Sequence, residues 1–351
     1  MRAVRFHAAG DVRVENLPRV PPGTGEVALD VAWCGVCGSD LHEYQRGPIA
    51  IPAAGRPHPL TGVTAPLVLG HEFAGTVTAI GRDVAGLEVG DLVAVEPLLR
   101  DGTCAACRSG HYNRCRQLAF IGLSGNGGGL AEYTVVPASA LHRVPVGVSL
   151  ETAALAEPTA VAWHAVDRAQ LGPGEPALVI GAGPVGLAIV GVLRYRGAGP
   201  VIVSEPSVVR RAAAARLGAD MVLDPSEADV GRTARGVAAA FDCAGRPEAP
   251  ETGLRAVRPG GRVILVAQPG DPVTVPAGRL VYLETTLTGS LGYAGVFPDV
   301  LAAMAAGLDL TPMVSRRAGL EQAPGLIAGL AADTGRELKV LFGTENTLND
   351  H

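Results

Sequence analysis

The sequence predicts an α/β protein of two parts, a mostly-β barrel-like domain followed by a doubly wound parallel sheet. Three features predict it: a length of 351 residues, a change of rhythm near residue 160, and a glycine turn set between a strand and a helix. A chain this long exceeds one ordinary core and suits two domains. In the first part the β-rich runs Glu26–Ala32, Gly75–Ile80, Leu92–Val95 and Ala131–Val136 are short and cut by glycine and proline, the pattern of a compact β domain. Two glycine- and proline-rich stretches, Gly47–Pro66 and Gly122–Gly129, are too long for hairpin turns and read as functional loops. The stretch 48–66, with His58, reads equally as a lid or as a surface insertion.

Beyond residue 160 short apolar runs alternate with helical segments. Strands are predicted at Ala177–Ile180, Val201–Ser204, Met221–Leu223, Ala238–Asp242 and Val263–Ala267, with helices at Val185–Tyr195 and Val208–Leu217. That alternation specifies parallel strands joined by helical crossovers. A helix at Pro298–Ala306 and a strand at Leu338–Phe342 follow, and no repeat of solenoid period interrupts the pattern.

Composition narrows the function classes. The chain is 48% hydrophobic and 18% charged, with a net charge of −5, a globular profile without a disordered tract. Its arginines are scattered rather than clustered, which argues against a nucleic-acid partner. The N-terminus has no apolar signal core, and the apolar runs fall far short of the roughly 18 residues that span a bilayer. A soluble cytoplasmic protein without a membrane partner is expected. In that compartment six cysteines read as metal ligands or core thiols rather than disulfides.

Gly181-Ala182-Gly183-Pro184-Val185-Gly186 directly follows a predicted strand and opens a helix. The first glycine makes the turn, the second admits a pyrophosphate, and the third lets helix pack on strand. The helix start at Pro184 and Val185 offers free N–H groups to phosphate. Glu205, closing the second strand about 20 residues on, sits where an acid holds the ribose hydroxyls. A carboxylate there favours NAD and repels the 2′-phosphate of NADP. Arg210 and Arg211 either soften that choice or line the solvent face of the next helix.

Cys37-Gly38-Ser39-Asp40-Leu41-His42 gathers a thiol, a hydroxyl, a carboxylate and an imidazole, and Gly70-His71-Glu72 adds a second imidazole and acid. Zinc prefers sulfur and nitrogen donors, and a catalytic site keeps one position open. Cys37 and His71 are candidate ligands, with Glu157 as a third; from the residues alone Glu157 reads equally as a helix-start carboxylate.

These motifs, together with Gly75 and Gly81, Pro97–Cys115, Phe120–Tyr133, Glu157–His164 and Ser204–Pro206, resemble the zinc-containing medium-chain dehydrogenase/reductase superfamily. Within it the sequence resembles the butanediol and sorbitol dehydrogenase branch, and Phe120–Ser124 and Glu157–His164 resemble the butanediol dehydrogenases in particular. The resemblance implies a GroES-like catalytic domain at 1–158 and 293–351, and a Rossmann domain at 159–292. It implies a zinc-dependent, NAD-linked enzyme oxidising a small secondary alcohol or vicinal diol, with polyols as the alternative. Cys37, His71 and Glu157 would hold catalytic zinc, and Glu72 would be a nearby exchanging carboxylate. Ser39 would bond the alcohol oxygen, His42 would pass its proton to solvent, and Asp40 would orient His71. A homodimer or homotetramer is also implied.

The second cysteine group departs from the family pattern. A structural zinc there uses C-x-x-C-x-x-C-x(7)-C; this chain keeps Cys104, Cys107 and Cys115 but has Asp101 in the first place. Asp101 is a ligand, or water takes its position, or the lobe holds three reduced thiols and no metal. Three retained cysteines favour zinc with Asp101, a harder donor that loosens the site. Cys34 and Cys243 read as buried thiols, and the substrate pocket is expected to draw on the 47–66 loop, Trp163 and 290–297.

Overall fold

In the computed structural model the described residues are 1–268, 270, 272–333, 335, 337–344 and 347. They form two units: Met1–Glu157 with Phe297–Gly307 and Val314–His351, and Pro158–Val296 with Leu308–Met313.

The first unit is organised by Glu26–Gly35, a strand whose Val27, Leu29, Val31, Trp33 and Cys34 are buried. Burial on both faces follows from its central position. It pairs antiparallel with Glu72–Ile80, Tyr133–Pro137 and Lys339–Gly343. Leu92–Val95 and Leu141–Arg143 extend the sheet on one side and Val314–Gly319 on the other. Arg2–Ala8 and Asp11–Asn16 form a hairpin that also takes Leu67–Val68, and Leu98–Leu99 pairs with Ala119–Phe120. The core joins residues as distant in sequence as Val4, Phe73, Leu130, Ile327 and Phe342. The sheet register matters most for function: Gly35 lies opposite Glu72 and Leu341 opposite Gly35. Three segments remote in sequence thereby end side by side.

The second unit holds a six-stranded parallel sheet. Numbered within the unit, its strands Ala177–Ile180, Val201–Ser204, Met221–Leu223, Val237–Asp242, Val257–Leu265 and Thr286–Gly289 lie in the order 3-2-1-4-5-6. This is the doubly wound dinucleotide-binding order. Ser204, Ile180, Asp242, Leu265 and Gly289 share one register row at its carboxyl edge, where ligands bind in such sheets. The helix after the first strand, Pro184–Tyr195, is buried along nearly its whole length.

The α/β class expected from the sequence is the one observed, with differences at element ends. The strand predicted from Val263 begins at Val257, and that predicted at Gly75–Ile80 begins at Glu72. Proline and glycine stand inside or beside both segments and obscured their starts. No helix among the described residues is long and apolar enough to cross a membrane.

Candidate metal centres and dinucleotide turn

Cys37 caps the helix Gly38–Arg46, which carries Ser39, Asp40 and His42. One Asp40 oxygen, Oδ2, accepts the Cys37 backbone N–H at 2.9 Å. The other, Oδ1, faces His71 Nδ1 at 3.6 Å. Both Oδ1 and Nδ1 are buried without a hydrogen-bond partner at that separation. The opposite ring nitrogen, Nε2, lies 3.4 Å from Ser39 Oγ. Donor atoms of Cys37, His71 and Glu72 lie within 4.8 Å of one another. Sulfur, imidazole nitrogen and carboxylate oxygen converging in this way is zinc chemistry. His42 is exposed on the same helix, one turn from Ser39.

Electrostatics at this centre are strong because little water reaches it. Burial raises Asp40 above its ordinary carboxylate value, against the opposing charge of His71. Burial alone would lower His71, but the charges of Asp40, Cys37 and Glu157 outweigh it and hold the imidazole well above its usual range. Glu157 is buried at the start of the helix Ala156–Ala169. The three-residue donor cluster contains Glu72 rather than Glu157, and Glu157 contributes its charge from the side.

Lys339 was missed by the motif reading. Its ammonium is wholly buried, forms an ion pair with Glu72, and donates to the Val36 carbonyl at 3.0 Å. A signal was present: the chain has 29 Lys and Arg residues, and Lys339 is the sole lysine among them. It also sits inside the apolar run Leu338–Phe342, where a solvated charge has no place.

The second centre is built locally. Asp101, Cys104, Cys107 and Cys115 bring their donor atoms within 4.8 Å of one another. Asp101 Oδ1 accepts the N–H groups of Thr103 and Cys104 at 2.7 and 2.9 Å, which hold the carboxyl well below its usual range. Backbone donors lower Cys104 to about 7, while burial and the neighbouring thiols push Cys107 to about 12. The lobe is fastened to the sheet through Glu96. Tyr112 donates to Glu96 Oε1 at 2.6 Å, and His142 Nε2 lies 2.8 Å from Oε2.

In the second unit Gly181 has φ of 92°, and a Cβ there would lie 2.9 Å from the Ala244 nitrogen. At Gly186 a Cβ would lie 2.0 Å from the Gly181 oxygen. At Gly183, by contrast, a Cβ would meet nothing nearer than the Arg210 guanidinium at 4.0 Å. Open space beside the helix start is what a pyrophosphate requires. Glu205 is buried, with Oε2 accepting from Ala182 N–H at 2.7 Å and Oε1 from Ser207 N–H at 2.9 Å. Arg211 is drawn to Asp224 at 2.8 Å and to the carbonyls of Glu205 and Pro206. Trp163 is covered by Arg196, whose guanidinium stands 3.9 Å above its ring.

The 47–66 stretch is held at both ends. Glu43 accepts three of its backbone N–H groups, and Thr61 Oγ1 donates to the Ser124 carbonyl at 2.5 Å. Ile51 and Val63 are part of the core, so the stretch packs against its unit at these two points, while residues 48–50 and 54–57 are exposed. Burial raises the thiol pKa of both Cys34 and Cys243.

Two family models match the chain, the alcohol dehydrogenase GroES-like domain over residues 23–146 and the zinc-binding dehydrogenase over 184–306. The chain is 37% identical over 330 residues to an (R,R)-butanediol dehydrogenase of Neisseria gonorrhoeae (strain ATCC 700825 / FA 1090), covering 92% of this chain and 93% of that protein. It is 34% identical over 332 residues to a sorbitol dehydrogenase of Bacillus subtilis (strain 168), covering 92% and 91%. The crystal structure of 2R,3R-butanediol dehydrogenase from Bacillus subtilis matches with a TM-score of 0.91 and 36% identity, over 98% of this chain and 99% of that one. The chain belongs to the zinc-binding alcohol dehydrogenase family, with a GroES-like and a Rossmann domain, and is an oxidoreductase acting on CH–OH groups.

Proposed function

We propose that this enzyme oxidises a short vicinal diol of the butane-2,3-diol type to the hydroxyketone, with zinc and NAD as cofactors. The observation that carries the reading is the convergence of Cys37, His71 and Glu72 beside the Ser39 hydroxyl. The relatives named as butanediol dehydrogenases supply the substrate class. Bound zinc supplies Lewis acidity toward an alcohol oxygen, and NAD supplies the hydride acceptor.

The chain's own residues do the rest. Cys37, His71 and Glu157 would hold the metal, with Glu72 the carboxylate gathered beside Cys37 and His71, and Asp40 fixes the His71 ring by facing Nδ1. Glu72 is the exchanging carboxylate, restrained by Lys339. Ser39 Oγ accepts the alcohol proton as it gives up its own hydroxyl proton, and His42, exposed one turn along the helix, releases a proton to solvent. Gly181, Gly183, Pro184, Val185 and Gly186 receive the pyrophosphate, Arg210 borders it, and Glu205 selects NAD over NADP. Asp101, Cys104, Cys107 and Cys115 would hold a structural zinc. Its catalytic domain is residues 1–158 and 293–351, its coenzyme domain 159–292. It works in the cytoplasm as a homodimer or homotetramer, to which the apolar edge run Thr286–Leu291 contributes.

The test is NADH formation by the metal-replete protein with butane-2,3-diol, acetoin in the reverse direction, and sorbitol, with and without chelator. Diol turnover abolished by chelator is expected. Turnover of sorbitol alone would move the substrate to the polyols, a reading favoured by the sorbitol dehydrogenase relative. No turnover of either would overturn the substrate class.

A further inference from the structure

Glu43 is used by none of the steps above, yet it is 1% exposed on the helix that carries Ser39. Its carboxylate accepts three successive backbone N–H groups, from Ile49 at 2.9 Å, Ala50 at 2.5 Å and Ile51 at 3.1 Å. Charge-assisted bonds from a run of amides are among the stronger hydrogen bonds available to a carboxylate. The clamp has a sharply two-sided result. Ile51 is buried at 1% exposure, whereas Ile49 is held out at 61%, flanked by exposed Pro48 and Ala50. Gly47 permits the approach, since a Cβ there would lie 2.4 Å from the Glu43 carbonyl oxygen.

Residues four apart on a helix are neighbours on one face. Glu43 is four residues from Ser39, whose hydroxyl lies 3.4 Å from His71 Nε2. Glu43, the anchor of the clamped segment, therefore stands about one helical turn from the Ser39 hydroxyl. We propose that Glu43 is a positioning residue that holds Pro48, Ile49 and Ala50 as an apolar rim beside Ser39. That rim favours short diols with apolar ends over polyhydroxylated chains. The inference rests on the diol reading and adds to it the element that separates diols from polyols.

The experiment compares the wild-type holoenzyme with Glu43→Ala, Glu43→Gln and Ile49→Ser. It reads the ratio of kcat/KM for butane-2,3-diol to that for sorbitol, the KM for NAD, and amide hydrogen exchange at residues 49–51. Apolar pockets discriminate against added hydroxyls only modestly, so Glu43→Ala is expected to lower the ratio about tenfold. The loss should fall on the diol KM, with kcat and the NAD KM unchanged and exchange at 49–51 accelerated. Glu43→Gln, which keeps an acceptor for Ala50 and Ile51, should recover most of the ratio. Ile49→Ser should lower the ratio by roughly fivefold while leaving exchange alone. An unchanged ratio in Ile49→Ser, or parallel loss of both substrates in Glu43→Ala, would overturn the proposal. Ile49→Ser decides the matter if Glu43→Ala fails to fold. If the wild type turns over neither substrate, the diol reading fails. Exchange then decides the clamp alone: acceleration at 49–51 in Glu43→Ala supports it, and unchanged protection overturns it.

Discussion

The first unit contains two donor clusters built on opposite principles. The lobe centre takes Asp101, Cys104, Cys107 and Cys115 from a single 15-residue stretch. The Cys37 centre takes its parts from three segments that meet because Gly35 is registered opposite Glu72 and Leu341 opposite Gly35. The lobe can form around its own turn geometry. The Cys37 centre exists only once the sheet has closed, and it carries a wholly buried Glu72–Lys339 pair and a buried Asp40. A local site is cheap to assemble and tolerant of a changed ligand, whereas a site made by register is costly and coupled to the fold.

The largest expected effect breaks the Cys37 centre itself. Cys37→Ser or His71→Ala should lower kcat/KM by about a thousandfold, the equivalent of several kcal/mol of lost charge stabilisation. Steady-state kinetics at saturating NAD check it. Replacement of three thiolates in the lobe should instead lower thermal stability and leave per-site turnover largely intact.

Next comes the coupling between site and fold. Lys339→Met leaves Glu72 buried without its partner, expected to cost about 3–5 kcal/mol in denaturant unfolding. Adding Glu72→Gln should restore much of that stability without restoring full activity. If Lys339→Met alone is neutral, the pair does not join the centre to the sheet.

Asp40→Asn is expected to cost about 10- to 100-fold in activity or zinc affinity, since it removes the charge facing His71 Nδ1. The companion measurement is pH dependence. In the metal-free protein the raised His71 value contributes stability that is fully present below the ordinary imidazole range and lost as pH rises through the raised value. Zinc needs the neutral ring. Chelator should therefore strip this centre faster as pH falls through that raised value, beginning at a higher pH than for an ordinary histidine. An Asp40→Asn protein should shift the onset to lower pH.

The smallest effect sharpens the lobe. Asp101→Cys supplies a softer donor at the correct spacing and is expected to slow zinc loss to a competing chelator, with kcat unchanged within about twofold. Faster loss would mean that the Asp101 bonds to Thr103 and Cys104 matter more to the lobe than its donor atom does.

The same contrast explains what the sequence disclosed. The Gly181–Gly186 turn and the lobe donors are contiguous motifs, so their spacing is visible in one window. The alternation after residue 160 was enough for the parallel sheet because each crossover is local. Lys339 and Glu43 were invisible to motif reading for different reasons. Lys339 reaches Glu72 through strand pairing across 267 positions, and it is marked in the sequence by being the sole lysine and by standing inside an apolar run. Glu43 looks like an ordinary helical acid until the 47–51 backbone folds onto it. The strand Val314–Gly319 is hard to read because Arg316 and Arg317 stand side by side in a segment with few apolar residues, whereas the Arg2–Asn16 hairpin does alternate, Val4 and Phe6 with Arg5 and His7, Val12 and Val14 with Arg13 and Glu15.

Zinc stoichiometry read alongside turnover tests the two-centre account most directly. Wild-type protein is expected to hold two zinc ions per chain. Cys37→Ser should hold one and lose NADH formation from butane-2,3-diol, while Cys104→Ser/Cys107→Ser should hold one and keep it. Full turnover by Cys37→Ser, or its loss in the lobe variant at unchanged zinc in the Cys37 centre, would contradict the account.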